Sequence, residues 1–189
     1  LALMVASLVV GRLTTRTGRY KIFPIVGTIV AAGGLWLLST MGPATGRVAS
    51  SMWMIVLGLG VGATLSVLTI AVQNAVEMRD LGAGTASVNF FRTLGSTIGV
   101  AVFGTILTSR LDTELTDRLV GVDLPPGVTG NSLARSPRAI AARPEPLHSA
   151  AAGALSASIT TVFAAAAVVM VGAFVISIRM RELPLRDLA

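Results

Sequence analysis

Side chains able to do chemistry are few in this chain, and one compact group of them lies in a short stretch of mixed charge. Glu77, Arg79 and Asp80 fall within four consecutive positions. Carboxylate and guanidinium groups this close form charge-assisted pairs, which can serve as a network that breaks and re-forms between two states. A solvated turn with local charge pairing explains the same residues without a function. Arg92 stands apart from them inside an apolar run, where its long side chain can reach toward lipid headgroups.

Several kinds of site are excluded by residue type. The chain has no cysteine and a single histidine, His148, so it offers neither a disulfide framework nor a thiolate or multi-histidine metal site. The glycines of GLGVG at Gly58–Gly62 resemble a nucleotide fingerprint only superficially, since no strand precedes them. No Ser/His/Asp or Cys/His set is available for nucleophilic catalysis. We therefore expect no enzyme activity, no metal and no cofactor.

The elements around these residues are apolar runs long enough to cross a membrane. The chain of 189 residues is 53% hydrophobic and 13% charged, whereas soluble domains carry about 25% charge. A span needs about 20 apolar residues, and the runs do not alternate with period two. The sequence predicts an all-α polytopic membrane protein with four complete transmembrane helices and one partial helix: Leu1–Val10 (partial), Ile22–Met41, Met52–Val76, Ala86–Ser109 and Leu155–Ile178. Because the chain opens inside an apolar run, we expect it to be the C-terminal part of a longer protein.

The distribution of Lys and Arg predicts the orientation. The net charge of +6 comes from arginines clustered at the ends of apolar runs, which favours membrane topology over nucleic-acid binding. Lys and Arg are denser in 11–21, 77–85 and the tail 179–189 than in the connections on the opposite face. We expect those three segments to be cytoplasmic and 110–154 to be a long extracytoplasmic loop. Leu111, Leu115 and Leu119 are spaced four apart, so the loop is expected to begin with a short amphipathic extension of the preceding helix.

Glycines inside the predicted helices indicate close helix packing. Small residues let helix backbones approach each other in a bilayer, where glycine would otherwise weaken a helix. A flexible hinge or a wall against a substrate is the alternative function for the same positions. The glycines concerned are Gly58, Gly60, Gly62, Gly95 and Gly99.

The basic stretch GRLTTRTGRYK resembles a known loop motif. Its pattern of Gly11, Leu13, Arg16, Gly18 and Arg19 is similar to the cytoplasmic motif of the major facilitator superfamily, which joins the second and third helices of a six-helix half. Thr15 stands where the family often has Asp, so the charge lock made by that Asp is not expected here. Without the resemblance, a cationic turn that anchors two helices at the cytoplasmic face explains the charge alone.

The stretch Ala71–Leu107 is similar to the corresponding region of fourteen-helix drug/proton antiporters of the EmrB/QacA type. The long loop before the last helix fits the same group. The features that carry this resemblance are Gln73-Asn74, Arg79, Gly82, Gly84, Phe90-Phe91-Arg92 and the Gly95/Gly99 pair.

The resemblance implies that the chain is helices two to six of the C-terminal half of a transporter. Its fourth helix would line a central cavity, which suits polar residues that are expensive to expose to lipid. Those residues are Thr64, Ser66, Thr69, Gln73 and Asn74. Arg92 would pair with Glu77, with Asp80 or with the other half of the transporter, closing a cytoplasmic gate.

The implied activity is proton-coupled efflux of amphipathic compounds by alternating access in the bacterial inner membrane. The expected partners are the lipid bilayer, the N-terminal half of the same transporter, small amphipathic substrates and protons. None of the four complete spans contains Asp, Glu or His, so the acid that carries the proton is expected outside this chain. A small membrane scaffold that transports nothing, or an importer of another substrate class, remains the alternative at this point.

Overall fold

The computed structural model describes residues 2–18, 20–42, 45–118 and 147–180. Within them the chain forms five α-helices and one short 3-10 turn. The helices are α1 (Ala2–Thr17), α2 (Ile22–Ser39), α3 (Arg47–Ala75), α4 (Leu81–Arg118) and α5 (Leu147–Arg179), with the turn Met78–Asp80 before α4.

Four segments are long and apolar enough to cross a membrane, and α1 supplies a shorter apolar stretch, Ala2–Thr14. The four are Ile22–Ser39, Arg47–Ala75, Met78–Arg118 and Ala151–Arg179. The predicted all-α membrane architecture, with four complete helices and one shorter helix, is confirmed.

The limits of α1 correct the predicted cationic turn. We expected the first helix to end at Val10, but it continues to Thr17. Arginine and leucine are good helix formers, so the charged residues extend the helix instead of ending it. The chain turns at Gly18, whose φ of 69° is in the left-handed region. The amide of Gly18 donates to the carbonyl of Thr14 at 3.0 Å, as in a helix ended by glycine.

The limits of α4 and α5 shorten the predicted loop 110–154 from both ends. Helix α4 runs to Arg118 because Leu111 and Leu115, at 0% and 5% exposure, continue an apolar stripe. This confirms the predicted amphipathic extension as far as Leu115. Helix α5 begins at Leu147, through an alanine-rich stretch of high helix propensity. Leu119, the rest of the loop and residues 181–189 of the tail lie outside the described residues.

Helix α3 is the centre of the packing. It contacts α1 on one side and α2 on another, α2 also packs on α5, and α5 packs on α4. Gly58 lies against Ala2 and Gly62 against Ala6, so α1 and α3 run in the same direction. Contacts of Gly27 with Gly60 and of Gly34 with Leu57 show that α2 runs in the opposite direction.

Most hydroxyl groups on the described helices donate to a carbonyl of their own helix. Thr28 donates to the carbonyl of Pro24 at 2.8 Å, Thr105 to Ala101 at 2.9 Å, and Ser158 to Ala154 at 2.7 Å. Such a bond satisfies the hydroxyl without a neighbouring helix. These side chains are therefore compatible with an apolar environment although they are polar in composition.

Helix α4 has little cover along its middle. None of the most apolar 18-residue window of this segment is buried, and residues 89–98 are all exposed. Its N-terminal end touches α3, where a Cβ on Gly84 would lie 3.2 Å from the side chain of Val76. The helix is thus attached near its two ends and uncovered between them.

Candidate functional site

The basic motif Gly11–Arg19 is carried by the end of α1 and the turn after it. Gly11, Leu13 and Arg16 lie within the helix, and Gly18 is the turn residue with positive φ. Arg19 lies outside the described residues. Tyr20, which follows, is only 2% exposed, and its carbonyl accepts the amide of Phe23 at 3.3 Å. The turn is therefore fixed by a glycine on one side and by a buried aromatic ring on the other.

The mixed-charge stretch forms a compact ion-pair group. The Nε atom of Arg79 lies 3.0 Å from a carboxylate oxygen of Glu77 and 3.6 Å from one of Asp80. The three residues lie around the 3-10 turn that leads into α4. Their side chains are 58–78% exposed, so water competes with the pairing and the group can open at small cost.

Arg92 does not join this group. It lies on α4, roughly 17 Å along the helix from Leu81 at 1.5 Å per residue. Within the described residues it makes no ion pair, and the residues around it on α4 are exposed. The structure therefore brings together three of the four predicted gate residues and leaves Arg92 facing away from the described part of the chain.

Of the five polar residues predicted to line a cavity on α3, three make contacts with three different helices. Thr64 lies beside Gly27 of α2, and its hydroxyl donates to the carbonyl of Gly60 at 3.0 Å. The hydroxyl of Ser66 meets that of Ser7 on α1 in a short hydrogen bond. The Nε2 atom of Gln73 donates to Thr85 of α4 at 3.4 Å.

The other two residues of this set, Thr69 and Asn74, also make polar contacts. Thr69 donates to the carbonyl of Leu65 at 3.4 Å, and Asn74 is half-buried with a polar contact of its own. The hydroxyl and amide groups of α3 thus join it to its neighbours as well as to its own backbone. They do not form one continuous polar surface.

The glycines singled out from the sequence fall into two groups. A Cβ on Gly58 would lie 3.2 Å from that of Ala2, and one on Gly60 or Gly62 would collide with backbone atoms of α2 or α1. Gly95 has no described neighbour within 4 Å, and Gly99 has only a ring atom of Phe103, at 4.0 Å, on the same helix. Gly60 and Gly62 thus leave no room for a side chain, and one on Gly58 would fit only after a small shift of α1. The second group lies on the exposed face of α4.

Sequence reasoning missed the partners of the close contacts on α3. Gly27 and Gly34 of α2 are one heptad apart, with Ala31 between them, and all three are buried. A Cβ on Gly34 would lie 2.8 Å from the amide nitrogen of Leu57. The heptad spacing of these small residues was the available signal, although it does not predict which helix packs against them. Ser7, the partner of Ser66, gave no signal because a lone serine in an apolar run is common.

A shallow groove of about 400 Å³ opens along α1. It is lined by Met4, Ser7, Leu8, Gly11 and Arg12. Apolar side chains and the gap at Gly11 form most of its wall, with the guanidinium of Arg12 toward the C-terminal end of the helix. This chemistry suits an amphipathic molecule better than a strongly polar one.

Comparison with known proteins gives similarity over the whole chain. The chain is 36% identical, across 188 residues, to an MFS-type transporter of Mycobacterium tuberculosis (strain ATCC 25618 / H37Rv). The alignment covers 100% of this chain and 27% of that relative. No protein-family model matches the chain.

Two relatives in Bacillus subtilis (strain 168) are named for multidrug transport or resistance. The multidrug transporter protein MdtP is 34% identical over 120 residues, which is 64% of this chain and 22% of the relative. Multidrug resistance protein 3 is 32% identical over 119 residues, covering 63% of this chain and 23% of the relative. The chain thus spans 27% or less of the length of these three relatives.

Proposed function

We propose that this chain, which belongs to the major facilitator superfamily of membrane transporters, forms part of an exporter of amphipathic small molecules. The main support is its similarity to two multidrug proteins over about two thirds of its length. The groove on α1 suits amphipathic small molecules, since it is mostly apolar and ends near the charged side chain of Arg12. A promiscuous pocket needs adaptable apolar surface with few fixed polar groups.

Alternating access is the mechanism we propose for the complete transporter. Two helical bundles would rock around a substrate site near the middle of the membrane. The exposed ion pairs of Glu77, Arg79 and Asp80 can break and re-form at low cost, which a gate that opens in each cycle requires. Arg92 would pair with an anionic group outside the described residues when the gate is closed.

We propose that export is driven by proton entry, with the proton carried by an acid elsewhere in the transporter. The predicted spans of α2, α3 and α5 contain no Asp, Glu or His, and the acids of α4 follow Ser109. A proton site in the membrane requires such a side chain. The residues of this chain would therefore shape the pathway and the gate, while the proton is carried by the remainder of the transporter.

Dye efflux from intact cells tests this function. The complete open reading frame that encodes this chain would be expressed in a bacterial strain lacking its own drug exporters and loaded with ethidium. We expect ethidium to leave faster than from vector controls, and a protonophore to abolish the difference. If the cells retain as much dye as the vector control although the protein is present in the membrane, multidrug export is excluded. If efflux persists in the presence of the protonophore, proton coupling is excluded, whereas export is still supported.

Cysteine labelling tests the proposed orientation, in which the turn before α4 is cytoplasmic and α3 begins outside. The chain has no cysteine, and any cysteines in the rest of the transporter would be replaced first, so that single cysteines can be introduced without background. Val48→Cys and Met78→Cys replace side chains that are 75% and 69% exposed. A membrane-impermeant maleimide should label the cysteine at position 48 in intact cells and that at 78 only after permeabilisation. The reverse labelling pattern would show that the orientation is opposite to the one proposed.

A further inference from the structure

We propose that the outer ends of α4 and α5 form a clasp outside the bilayer, closed by the guanidinium of Arg118 lying on Gly153. The clasp holds the two helices together at one end while the membrane-embedded middle of α4 stays free to shift. It is independent of which substrate the transporter carries.

Helices α4 and α5 are longer than the bilayer requires. Helix α4 has 38 residues and α5 has 33, or about 57 and 50 Å at 1.5 Å per residue, against about 30 Å of hydrocarbon. The charged residues of the excess in α4 all follow Ser109: Arg110, Asp112, Glu114, Asp117 and Arg118. Charges of both signs are unfavourable in hydrocarbon, so this end of α4 extends into water.

The extended ends are packed more closely than the membrane part of α4. Leu111 and Leu115 of α4 are buried, as are Ala151 and Ala154 of α5, which precede the predicted span Leu155–Ile178. In the most apolar window of α4, by contrast, no residue is buried. Water outside the bilayer favours burial of leucine between two helices, whereas lipid gives no such driving force. The two extensions therefore contribute buried side chains to a small apolar core, at a place where α5 packs on α4 and also on α2.

Arg118 closes this core at its outer edge. A carboxylate oxygen of Glu114, one turn earlier, lies 3.1 Å from both Nε and Nη2 of Arg118. That pairing orients the planar guanidinium and leaves Nη1 directed at α5. A Cβ on Gly153 would lie 2.5 Å from Nη1 and 3.3 Å from Cζ. The guanidinium thus occupies the space that a Cβ would take, and because Nη1 is the end of a flexible side chain, a methyl group at this position would displace it from α5.

Distance measurements between spin labels test the clasp. Cysteines replacing the exposed Thr116 on α4 and Ile159 on α5 would be labelled in the transporter reconstituted into lipid. We expect a single narrow distance peak. Arg118→Ala and Gly153→Ala should each lose that peak and give a broad distribution.

Two control variants make the result specific. Arg110→Ala removes the same charge from the same helix at an exposed residue without an ion pair among the described residues. Gly172→Ala adds a methyl group to α5 where no described atom lies within 4 Å. Both should keep the narrow peak, and thermal unfolding midpoints would show that all variants are folded. A folded Arg118→Ala variant with the same narrow peak as Arg110→Ala would overturn the clasp.

Discussion

Replacing Gly34 by alanine is expected to destabilise the helix bundle, while the same change at the adjacent Gly33 is not. A Cβ at position 34 would lie 2.8 and 2.9 Å from the amide nitrogen and Cα of Leu57. These are backbone atoms, so relief requires that α2 and α3 move apart. Overpacking of this kind costs about 1–3 kcal/mol. We expect the thermal unfolding midpoint of Gly34→Ala to fall clearly below that of the parent protein.

Gly33 provides the matched control for this prediction. It belongs to the same helix and undergoes the same gain in helix propensity on mutation to alanine. In the described part of the chain, nothing lies within 4 Å of a Cβ added there. Gly33→Ala should leave the unfolding midpoint unchanged or raise it. Equal midpoints for the two variants would show that α2 and α3 are not as close as described.

The second large effect is expected on transport, from Arg92→Ala. Arg92 is exposed on α4 and has no charged partner among the described residues, so its proposed partner is an anion elsewhere in the transporter. Loss of a pairing worth about 1.4 kcal/mol changes an equilibrium tenfold. We expect ethidium efflux to fall by about that factor or more, with the amount of protein in the membrane unchanged.

Arg92→Lys separates pairing from simple attraction to headgroups. A lysine also reaches the membrane surface, so it restores efflux if Arg92 only extends toward the headgroups. A lysine lacks the planar fork of a guanidinium and does not replace a bidentate pair. We expect Arg92→Lys to remain impaired, and Arg79→Ala, at the 78% exposed side chain of the turn, to have a smaller effect. Full activity of Arg92→Lys would show that Arg92 does not act through a specific ion pair.

The sequence was sufficient to predict the helices but not their ends. Apolar runs of about 20 residues predict spans because the bilayer sets that length. Hydropathy, however, predicts only the residues embedded in lipid, and a helix can continue beyond the bilayer surface. The charged residues Arg12, Arg16 and Glu114 all lie within helices because they form helix well in water. The ends were set by Gly18 and by the packing of Leu115.

Adjacency in sequence decided which parts of the candidate site could be predicted. Glu77, Arg79 and Asp80 are neighbours along the chain, so their pairing follows from local geometry. The contact of Ser66 with Ser7, and the contact of Arg118 with Gly153, join residues far apart in sequence. Periodicity gives the face of a helix on which a residue lies, but not which helix covers that face. Arg92 could be identified by its type, whereas its separation from Glu77 required coordinates.

The hydrogen bonds that hydroxyl groups make within their own helices affect how this chain enters the bilayer. The bonds from Thr28 to Pro24, from Thr105 to Ala101 and from Ser158 to Ala154 need only the helix that contains them. Each helix can therefore leave the translocation channel with these hydroxyls already satisfied, before its neighbours have been synthesised. The bond between Ser7 and Ser66 is different, because it forms only when α1 and α3 meet in the membrane. Insertion and assembly thus use separate sets of polar contacts.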